Sequence, residues 1–156
     1  MVIEETFTVK APIEKAWDFL IDPDASGPCV PGCEKIEVVD DKTYRVRVKT
    51  KISFMSFTFN MKVEIIEMNR PFHLESVSAG EDSKLTSRIR MKSFLDLNSI
   101  SEMETGISYR SDVSLFGRLG TMGLSVIKGK AKQLGKEFAG AVKSRLESGE
   151  SASVGR

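Results

Sequence analysis

The chain of 156 residues is poor in the side chains that build metal centres, disulfide frameworks and most catalytic sites. It has two cysteines and one histidine. Cys29 and Cys33 are too few for a disulfide framework, so we expect free thiols in a reducing compartment. Together with His73 they supply too few soft ligands for a zinc site. We therefore expect no metal and no covalent cofactor.

Long apolar runs and a strong excess of one charge are also missing. No segment approaches the roughly 20 consecutive apolar residues that span a bilayer. The N-terminal sequence Met-Val-Ile-Glu-Glu lacks the basic and apolar regions of a secretory signal. The net charge is +1, so nothing global attracts nucleic acid. We expect a cytoplasmic protein with one domain at residues 1–146 and a polar, disordered tail at residues 147–156.

The strongest pattern that is present is a strict alternation of large apolar and polar residues over residues 54–66. The apolar members are Met55, Phe57, Phe59, Met61, Val63 and Ile65. Successive side chains of a strand point to opposite faces of its sheet, so the pattern predicts a long strand with one apolar face. That face either lines a ligand pocket or fills a core.

Further strand-like stretches predict that this strand belongs to an antiparallel meander. They lie at residues 2–9, 34–40, 43–51, 54–67, 72–79, 84–97 and 100–115. Polar or glycine-containing turns separate them at residues 40–42, 69–71, 80–82 and 97–99. Consecutive strands joined by short turns pair as neighbours, so we expect a seven-stranded antiparallel sheet.

Helical patterns flank this sheet-forming region on both sides. Pro12 and the apolar residues from Ile13 to Ile21 suit a short amphipathic helix that ends at Asp22-Pro23, followed by a loop or a short broken helix. From Leu119 to about Leu146 the apolar residues recur at helical spacing, which predicts a helix of about 40 Å. Such a helix is long enough to cross the whole sheet.

Small residues on the predicted inner surfaces favour a cavity between sheet and helix. Strand alternation places several serines inward, namely Ser76, Ser78, Ser87, Ser93 and Ser111. A close-packed core rarely contains so many, because a buried serine fills little volume and needs a hydrogen-bond partner. Glycines at positions 120, 123, 129, 135 and 140 each weaken the helix by about 1 kcal/mol relative to alanine, which room for a ligand would offset. A solid core, and a helix that begins after Gly123, stay open as alternatives.

The predicted order is a strand, two short helices, six meandering strands and one long helix. This is a helix-grip layout, in which a curved antiparallel sheet wraps around the C-terminal helix. The order resembles that of the START and Bet v 1-like superfamily. The resemblance implies an α+β fold that holds a hydrophobic ligand between sheet and helix.

Basic residues are concentrated in the last helix. Between Arg118 and Arg145 there are seven basic residues and one acid. Lys128, Lys132 and Lys136 share a helix face and would dock the protein transiently on a membrane, at about 1 kcal/mol per charge near an anionic leaflet. A solvated helix whose last-turn cations complement its dipole is the simpler interpretation.

Two outward rows of basic residues lie on the predicted strands, at residues 45–51 and 88–92. No aromatic residues are interleaved on the same face, so we interpret the rows as a solvated sheet face and expect no nucleic-acid partner.

Catalytic chemistry has few candidates. His73 lies at a predicted hairpin edge, where we expect a structural role. The glycines at positions 117, 120 and 123 lack a phosphate-binding pattern. Glu102, Glu104 or Tyr109, whose side chains we expect to face inward, would serve as acid or base in a cyclase-like pocket.

Two segments narrow the resemblance to one family. Val30-Pro31-Gly32-Cys33-Glu34, before the second strand, resembles the Leu-Pro-Gly-Cys segment of the CoxG family of carbon monoxide dehydrogenase subunits. The segment from Gly117 to Gly123 is similar to that family's Gly-x-Leu-Ala-x-Leu-Gly stretch. With the Ala-Pro-Ile-Glu-Lys-Ala-Trp segment at residues 11–17, the resemblance covers about residues 1–146.

Membership implies a non-catalytic accessory protein that binds a hydrophobic molecule, an isoprenoid quinone in particular, and links a molybdenum hydroxylase to the membrane. We predict a pocket for a quinone or other lipid lined by Met55, Phe57, Phe59, Met61, Met91, Tyr109 and Met122. Two alternatives stay open: an enzyme of the polyketide cyclase or aromatase type, and an interaction module with a filled core in the manner of chaperone cofactors.

Overall fold

A seven-stranded antiparallel sheet and a long C-terminal helix dominate the computed structural model, which describes residues 1–148. The strands are β1 (Val2–Val9), β2 (Cys33–Val38), β3 (Thr43–Ile52), β4 (Met55–Asn69), β5 (His73–Asp82), β6 (Ser87–Ser101) and β7 (Glu104–Gly117). The helices are α1 (Ile13–Ile21), α2 (Pro23–Ser26) and α3 (Leu124–Ser148), with short 3-10 helices at Gly27–Cys29 and Leu119–Thr121. The predicted helix-grip architecture is confirmed.

The strands follow one another in the order β1-β7-β6-β5-β4-β3-β2, so β1 and β2 form the two edges of the sheet. Every neighbouring pair is antiparallel. Residues 149–156 of the predicted tail lie outside the described residues, and Glu147 and Ser148 still belong to α3. Within residues 1–148, no helix combines the length and apolarity needed to cross a bilayer.

The alternation along β4 divides the two faces of the sheet as predicted. Phe57, Phe59 and Met61 are buried on the inner face, with 2, 6 and 8% of their surface exposed. Asn60 and Lys62, on either side of Met61, are exposed on the outer face. Burial of an apolar side chain of this size stabilises the fold by about 1.5–3 kcal/mol, which fixes which face turns inward.

Two of the predicted turns are wrong, because β5 and β6 are longer than expected. β5 continues through Gly80 to Asp82, and β6 continues through Asn98 to Ser101. A Cβ at Gly80 would clash with the Asn60 carbonyl oxygen, so glycine here permits close strand packing rather than a turn. Asn98 lies opposite Gly106, where a Cβ would meet the Asn98 side chain at 2.5 Å.

The long helix begins at Leu124, five residues later than predicted, so the alternative of a later start is correct. Gly117, with φ +76°, is the last residue of β7, and Gly120 lies close to the Leu115 carbonyl in the connection between β7 and α3. Three glycines remain inside α3, at positions 129, 135 and 140.

The interior contains two separate apolar clusters. The Trp cluster joins α1, the C-terminal half of α3 and the nearby strands, and its buried members are Val9, Ala11, Ala16, Trp17, Cys29, Leu97, Ile107, Val142 and Leu146. The Met/Phe cluster lies under the first turns of α3, and its buried members are Ile52, Phe57, Phe59, Met61, Leu119 and Ile127. The inner face between these clusters is where the candidate site lies.

Candidate ligand-binding site

Six of the seven predicted pocket residues come together in the Met/Phe cluster. Phe57, Phe59 and Met61 are buried members, and Met55, Met91 and Met122 are half-buried and pack against them. The Phe57 and Phe59 rings are stacked, with centroids 5.6 Å apart. Flexible methionines beside rigid rings make an adaptable apolar wall.

A row of serines crosses the inner face between the two clusters. Ser76, Ser93 and Ser111 are successive cross-strand partners on β5, β6 and β7, and all three are half-buried. The Ser93 and Ser111 hydroxyl oxygens are 2.8 Å apart and share a hydrogen bond. Each hydroxyl has one hydrogen and two lone pairs, so this pair keeps capacity to bind a further oxygen.

Tyr109 lies one row away from the serines, towards the Trp cluster. It is the cross-strand partner of Glu5 on β1, and its ring packs edge-on against Phe138 of α3 with centroids 5.9 Å apart. Burial, and secondarily the Glu5 carboxylate, raise the pKa of Tyr109 to about 12. The phenol therefore stays protonated at neutral pH and can donate a hydrogen bond.

Sequence reasoning missed two polar groups of this interior. Glu5 has the same parity as Ile3 and Phe7 on β1, so strand alternation already predicts that its side chain lies on the inner face. Thr50 lies opposite Phe57, and its hydroxyl oxygen is buried with no hydrogen-bond partner within residues 1–148. The inner surface is therefore apolar with a few hydrogen-bonding groups, as ligand pockets commonly are.

Glu102 and Glu104 do not share a site with Tyr109, which corrects one prediction. Glu102 is exposed in the β6–β7 turn. Glu104 alternates with Thr105, which is buried and donates a hydrogen bond to the Ala11 carbonyl at 2.7 Å. Because Tyr109 has the same parity as Thr105, Glu104 points to the opposite face of the sheet.

Two hollows of about 850 and 510 Å³ lie along strands β2–β7 and are lined largely by outward-facing residues such as Lys62, Ala79 and Arg90. Of the seven predicted pocket residues, Met61 lines the first hollow and Met91 the second. These hollows therefore differ from the predicted pocket.

His73 lies on the outer face, where it is held between carboxylates. Its Nδ1 is 2.5 Å from Asp96 and its Nε2 is 2.8 Å from Glu75, with Glu67 at 3.8 Å. The hydrogen bonds to Glu75 and then Asp96 raise the pKa of this imidazole. The oxygens of Glu67 and Glu75 and a His73 nitrogen lie within 4.8 Å of one another, as metal ligands do. A protonated imidazole explains the cluster without a metal ion.

The two cysteines are free and do not form a nucleophilic site. Cys29 is buried in the Trp cluster and Cys33 is half-buried at the start of β2. Burial raises the pKa of both thiols. Both therefore stay protonated, which is the unreactive form.

Comparison with solved structures shows the same fold in other proteins. A conserved protein from Geobacillus kaustophilus is 20% identical, with a TM-score of 0.85 over 94% of this chain and 95% of that chain. The Zhui aromatase/cyclase from Streptomyces sp. R1128 is 15% identical, with a TM-score of 0.75 over 100% and 99%. A START superfamily protein from Mycobacterium smegmatis is 14% identical, with a TM-score of 0.69 over 93% and 96%. At these identities the likeness concerns the fold alone.

Comparison with curated protein sequences gave no match. The CoxG family model, which describes a carbon monoxide dehydrogenase subunit, matches residues 6–147, nearly the whole of the described chain. The resemblance noted at residues 30–34 and 117–123 is thus confirmed, and the chain belongs to the CoxG family of carbon monoxide dehydrogenase subunits, within the START-like fold.

Proposed function

We propose that the protein is a non-catalytic binding protein for a hydrophobic small molecule, a quinone or another lipid. The observation that carries this proposal is the serine row between two apolar clusters. Ser93 and Ser111 would accept or donate hydrogen bonds to an oxygen of a ligand whose apolar part lies against the Met/Phe cluster. A quinone, with carbonyl oxygens on an apolar ring and chain, has this combination.

The pocket residues of this proposal are Met55, Phe57, Phe59, Met61, Met91, Tyr109 and Met122, with the serine row added. Tyr109 would donate a hydrogen bond to a second ligand oxygen, since its pKa of about 12 keeps the hydroxyl protonated. A general base needs the opposite property, a pKa close to the working pH. This argues for binding rather than for the acid–base chemistry of a cyclase.

The ligand is tested by extracting the purified protein with organic solvent, identifying bound lipids by mass spectrometry, and titrating the emptied protein with menaquinone. Ser111→Leu would fill the inner face of β7, whereas Ser114→Leu adds the same side chain to its outer face. We expect the first variant to lose uptake and the second to retain it. A lipid-free protein that takes up no menaquinone, or equal uptake by both variants, would count against the proposal.

The cyclase alternative makes a different prediction for the same preparation. The Zhui aromatase/cyclase has this fold, and such a function would require the wild type to convert an added linear polyketide mimic while Tyr109→Phe does not. Unchanged substrate in both reactions removes this alternative.

We further propose that the family partner is a molybdenum-containing carbon monoxide dehydrogenase and that the protein works at the cytoplasmic surface of a membrane. Lys128, Lys132 and Lys136 are exposed on α3, and within residues 1–148 they form no ion pair. Co-purification with the hydroxylase subunits tests the partner. Binding to vesicles that contain phosphatidylglycerol tests the membrane contact.

A further inference from the structure

The two hollows on the outer face of the sheet adjoin and form one groove. They share Lys62, Ala79 and Arg90, and together they extend from β2 to β7. We call them the outer groove. Ala79 and Gly80 lie in its floor on β5, so long side chains from β4 and β6 stand on either side of residues with almost no side chain.

Positive charge dominates the larger hollow. Its lining contains three acids, Glu37, Glu81 and Asp82, and six basic residues, namely Lys35, Arg45, Arg47, Lys62, Arg88 and Arg90. The Asp82 carboxylate already accepts backbone hydrogen bonds from Thr86 and Ser87 at 2.7 and 2.8 Å. Its oxygens are engaged by these hydrogen bonds and by one from the Thr86 hydroxyl, and within residues 1–148 it forms no ion pair with a basic residue of the hollow.

Most of these basic groups lack an acidic partner. Within residues 1–148, neither Arg45 nor Arg90 forms an ion pair within 4.0 Å, and Lys62 interacts only at longer range with Asp40. The Arg47 guanidinium donates to the Asn60 side-chain oxygen at 3.2 Å, and that of Arg88 lies 5.2 Å from the Phe116 ring centroid. Charges of one sign on neighbouring strands repel one another, and an anion bound between them would remove this repulsion.

The spacing of the charges indicates an extended anion. Arg45, Lys62, Ala79 and Arg90 are successive cross-strand partners from β3 to β6, so Arg45 and Arg90 are separated by three strand spacings, about 14 Å. One phosphate or sulfate cannot reach both. Single-stranded nucleic acid fits poorly, because the described residues that line the groove include no aromatic side chain to stack with a base.

We propose that the outer groove binds an acidic segment of a partner protein, lying across the strands with its carboxylates on Arg45, Lys62 and Arg90. The planar guanidinium fork matches a carboxylate with two parallel hydrogen bonds, which favours such side chains as ligands. The groove is on the opposite face of the sheet from the proposed ligand pocket, so this inference does not depend on the proposed function.

The test is the fluorescence anisotropy of a labelled, glutamate-rich peptide titrated with the full chain. The double variant Arg45→Gln/Arg90→Gln removes two groove charges, and Lys49→Gln/Lys51→Gln removes two charges from the same outer face outside the groove. We expect the first to bind at least about tenfold more weakly and the second to bind within about twofold of the wild type. Ala79→Glu, which places an acid in the floor, should also abolish binding.

Circular dichroism of each variant shows whether the fold is retained. Equal losses in both double variants would mean general attraction to a basic protein and would overturn the proposal. Displacement of the peptide by tripolyphosphate or by an oligonucleotide at lower charge concentration would also overturn it, because the groove would then recognise phosphate. Menaquinone uptake measured on the same variants separates this outcome from a failure of the proposed function.

Discussion

The three glycines inside α3 differ in what surrounds them. A Cβ at Gly135 would lie 2.6 Å from the Tyr109 hydroxyl oxygen, whereas nothing lies within 4 Å of a Cβ at Gly129 or Gly140. Gly135 is therefore required for close approach of helix and sheet, and the other two are not. Alanine substitutions at these glycines therefore distinguish the effect of helix propensity on stability from the effect of packing against the sheet.

We expect Gly129→Ala and Gly140→Ala to raise the free energy of unfolding by about 0.5–1 kcal/mol each, through helix propensity alone. Gly135→Ala should lower it by about 1–3 kcal/mol through overpacking, and Tyr109→Phe in the same chain should recover part of that loss. Urea denaturation of the wild type and the four variants measures these values. If Gly135→Ala were as stabilising as the other two, the contact with Tyr109 would be refuted.

His73 makes the free energy of unfolding depend on pH, and the carboxylates around it determine the sign of that dependence. Glu75, Asp96 and Glu67 face the imidazole, and Lys92 lies 4.0 Å from Glu75. The folded-state pKa is raised above the ordinary 6.5. The stabilisation is therefore complete below the unfolded pKa and is lost as the pH rises through the folded pKa.

The wild type should exceed His73→Gln in free energy of unfolding by more at about pH 5.5 than at about pH 8.5. Denaturation of both proteins at the two values gives the difference, and NMR titration of the imidazole gives the pKa directly. If the difference in free energy of unfolding between the two proteins did not change with pH, protonation of His73 would not contribute to stability.

At the scale of elements, alternation predicted strands better than it predicted their ends. The two faces of β4 are correct because burial fixes their register. The ends of β5 and β6 were misplaced because Gly80 and Asn98 resemble turn residues in the sequence, while their actual requirement is contact with a neighbouring strand. Such contacts depend on residues distant in the chain, which a local pattern does not contain.

The β5–β6 turn is held by the carboxylate of Asp82, a contact that the sequence pattern did not predict. Asp82 is 3% exposed, and its carboxylate accepts hydrogen bonds from the Thr86 and Ser87 backbone and from the Thr86 hydroxyl. Burial acts to raise the pKa of Asp82, but the hydrogen bonds from Ser87 and Thr86 outweigh it, so the pKa is lowered. The carboxylate therefore stabilises the fold above its ordinary pKa, and this stabilisation is lost as the pH falls through the folded value.

Asp82→Asn should reduce the free energy of unfolding by about 2 kcal/mol at neutral pH, because the hydrogen bonds from the buried Ser87 N–H and the part-buried Thr86 N–H lose their charged acceptor. Asp41→Asn, an exposed acid in the β2–β3 turn, is the matched control and should change it by less than about 0.5 kcal/mol. The difference between the wild type and Asp82→Asn should also narrow on acidification. Equal effects of the two substitutions would mean that the carboxylate does not hold the turn.

For the whole molecule, the sequence predicted the candidate site in part. Strand parity assigned the serines and five apolar residues, Met55, Phe57, Phe59, Met61 and Met91, to one face, since a period of two residues is a local property of the sequence. It did not show that Tyr109 lies apart from the Met/Phe cluster, next to Glu5 and Gly135, because this depends on how far along each strand the helix crosses. The expectation that Glu104 faces inward together with Tyr109 was wrong, because the two residues differ in parity and lie on opposite faces of β7.

The fold also gathers basic residues at one end of the molecule. At one end, the β3–β4 turn, the β5–β6 turn and the start of α3 meet: the Arg118 backbone N–H donates to the Thr86 carbonyl at 2.9 Å, and Ile52 packs in one cluster with Leu119. Residues 51–57, 83–88 and 117–130 contain six basic residues and no acid. Phe54 and Leu85 project there, 83 and 74% exposed. Exposed apolar groups among basic residues are the combination that binds anionic bilayers.

This end should therefore bind vesicles that contain phosphatidylglycerol and not vesicles of phosphatidylcholine alone, as measured by flotation. Phe54→Asp/Leu85→Asp should reduce the bound fraction at least about fivefold, since two apolar contacts are replaced by charges of the lipid's sign. Met103→Asp is the matched control, because Met103 is 63% exposed in the β6–β7 turn, beside Glu102 and Glu104. It should bind as the wild type does. The variant Lys132→Gln/Lys136→Gln tests whether the lysine face of α3 contributes to vesicle binding. If this variant lost binding while Phe54→Asp/Leu85→Asp kept it, the membrane contact would be the helix and not the end that carries Phe54 and Leu85.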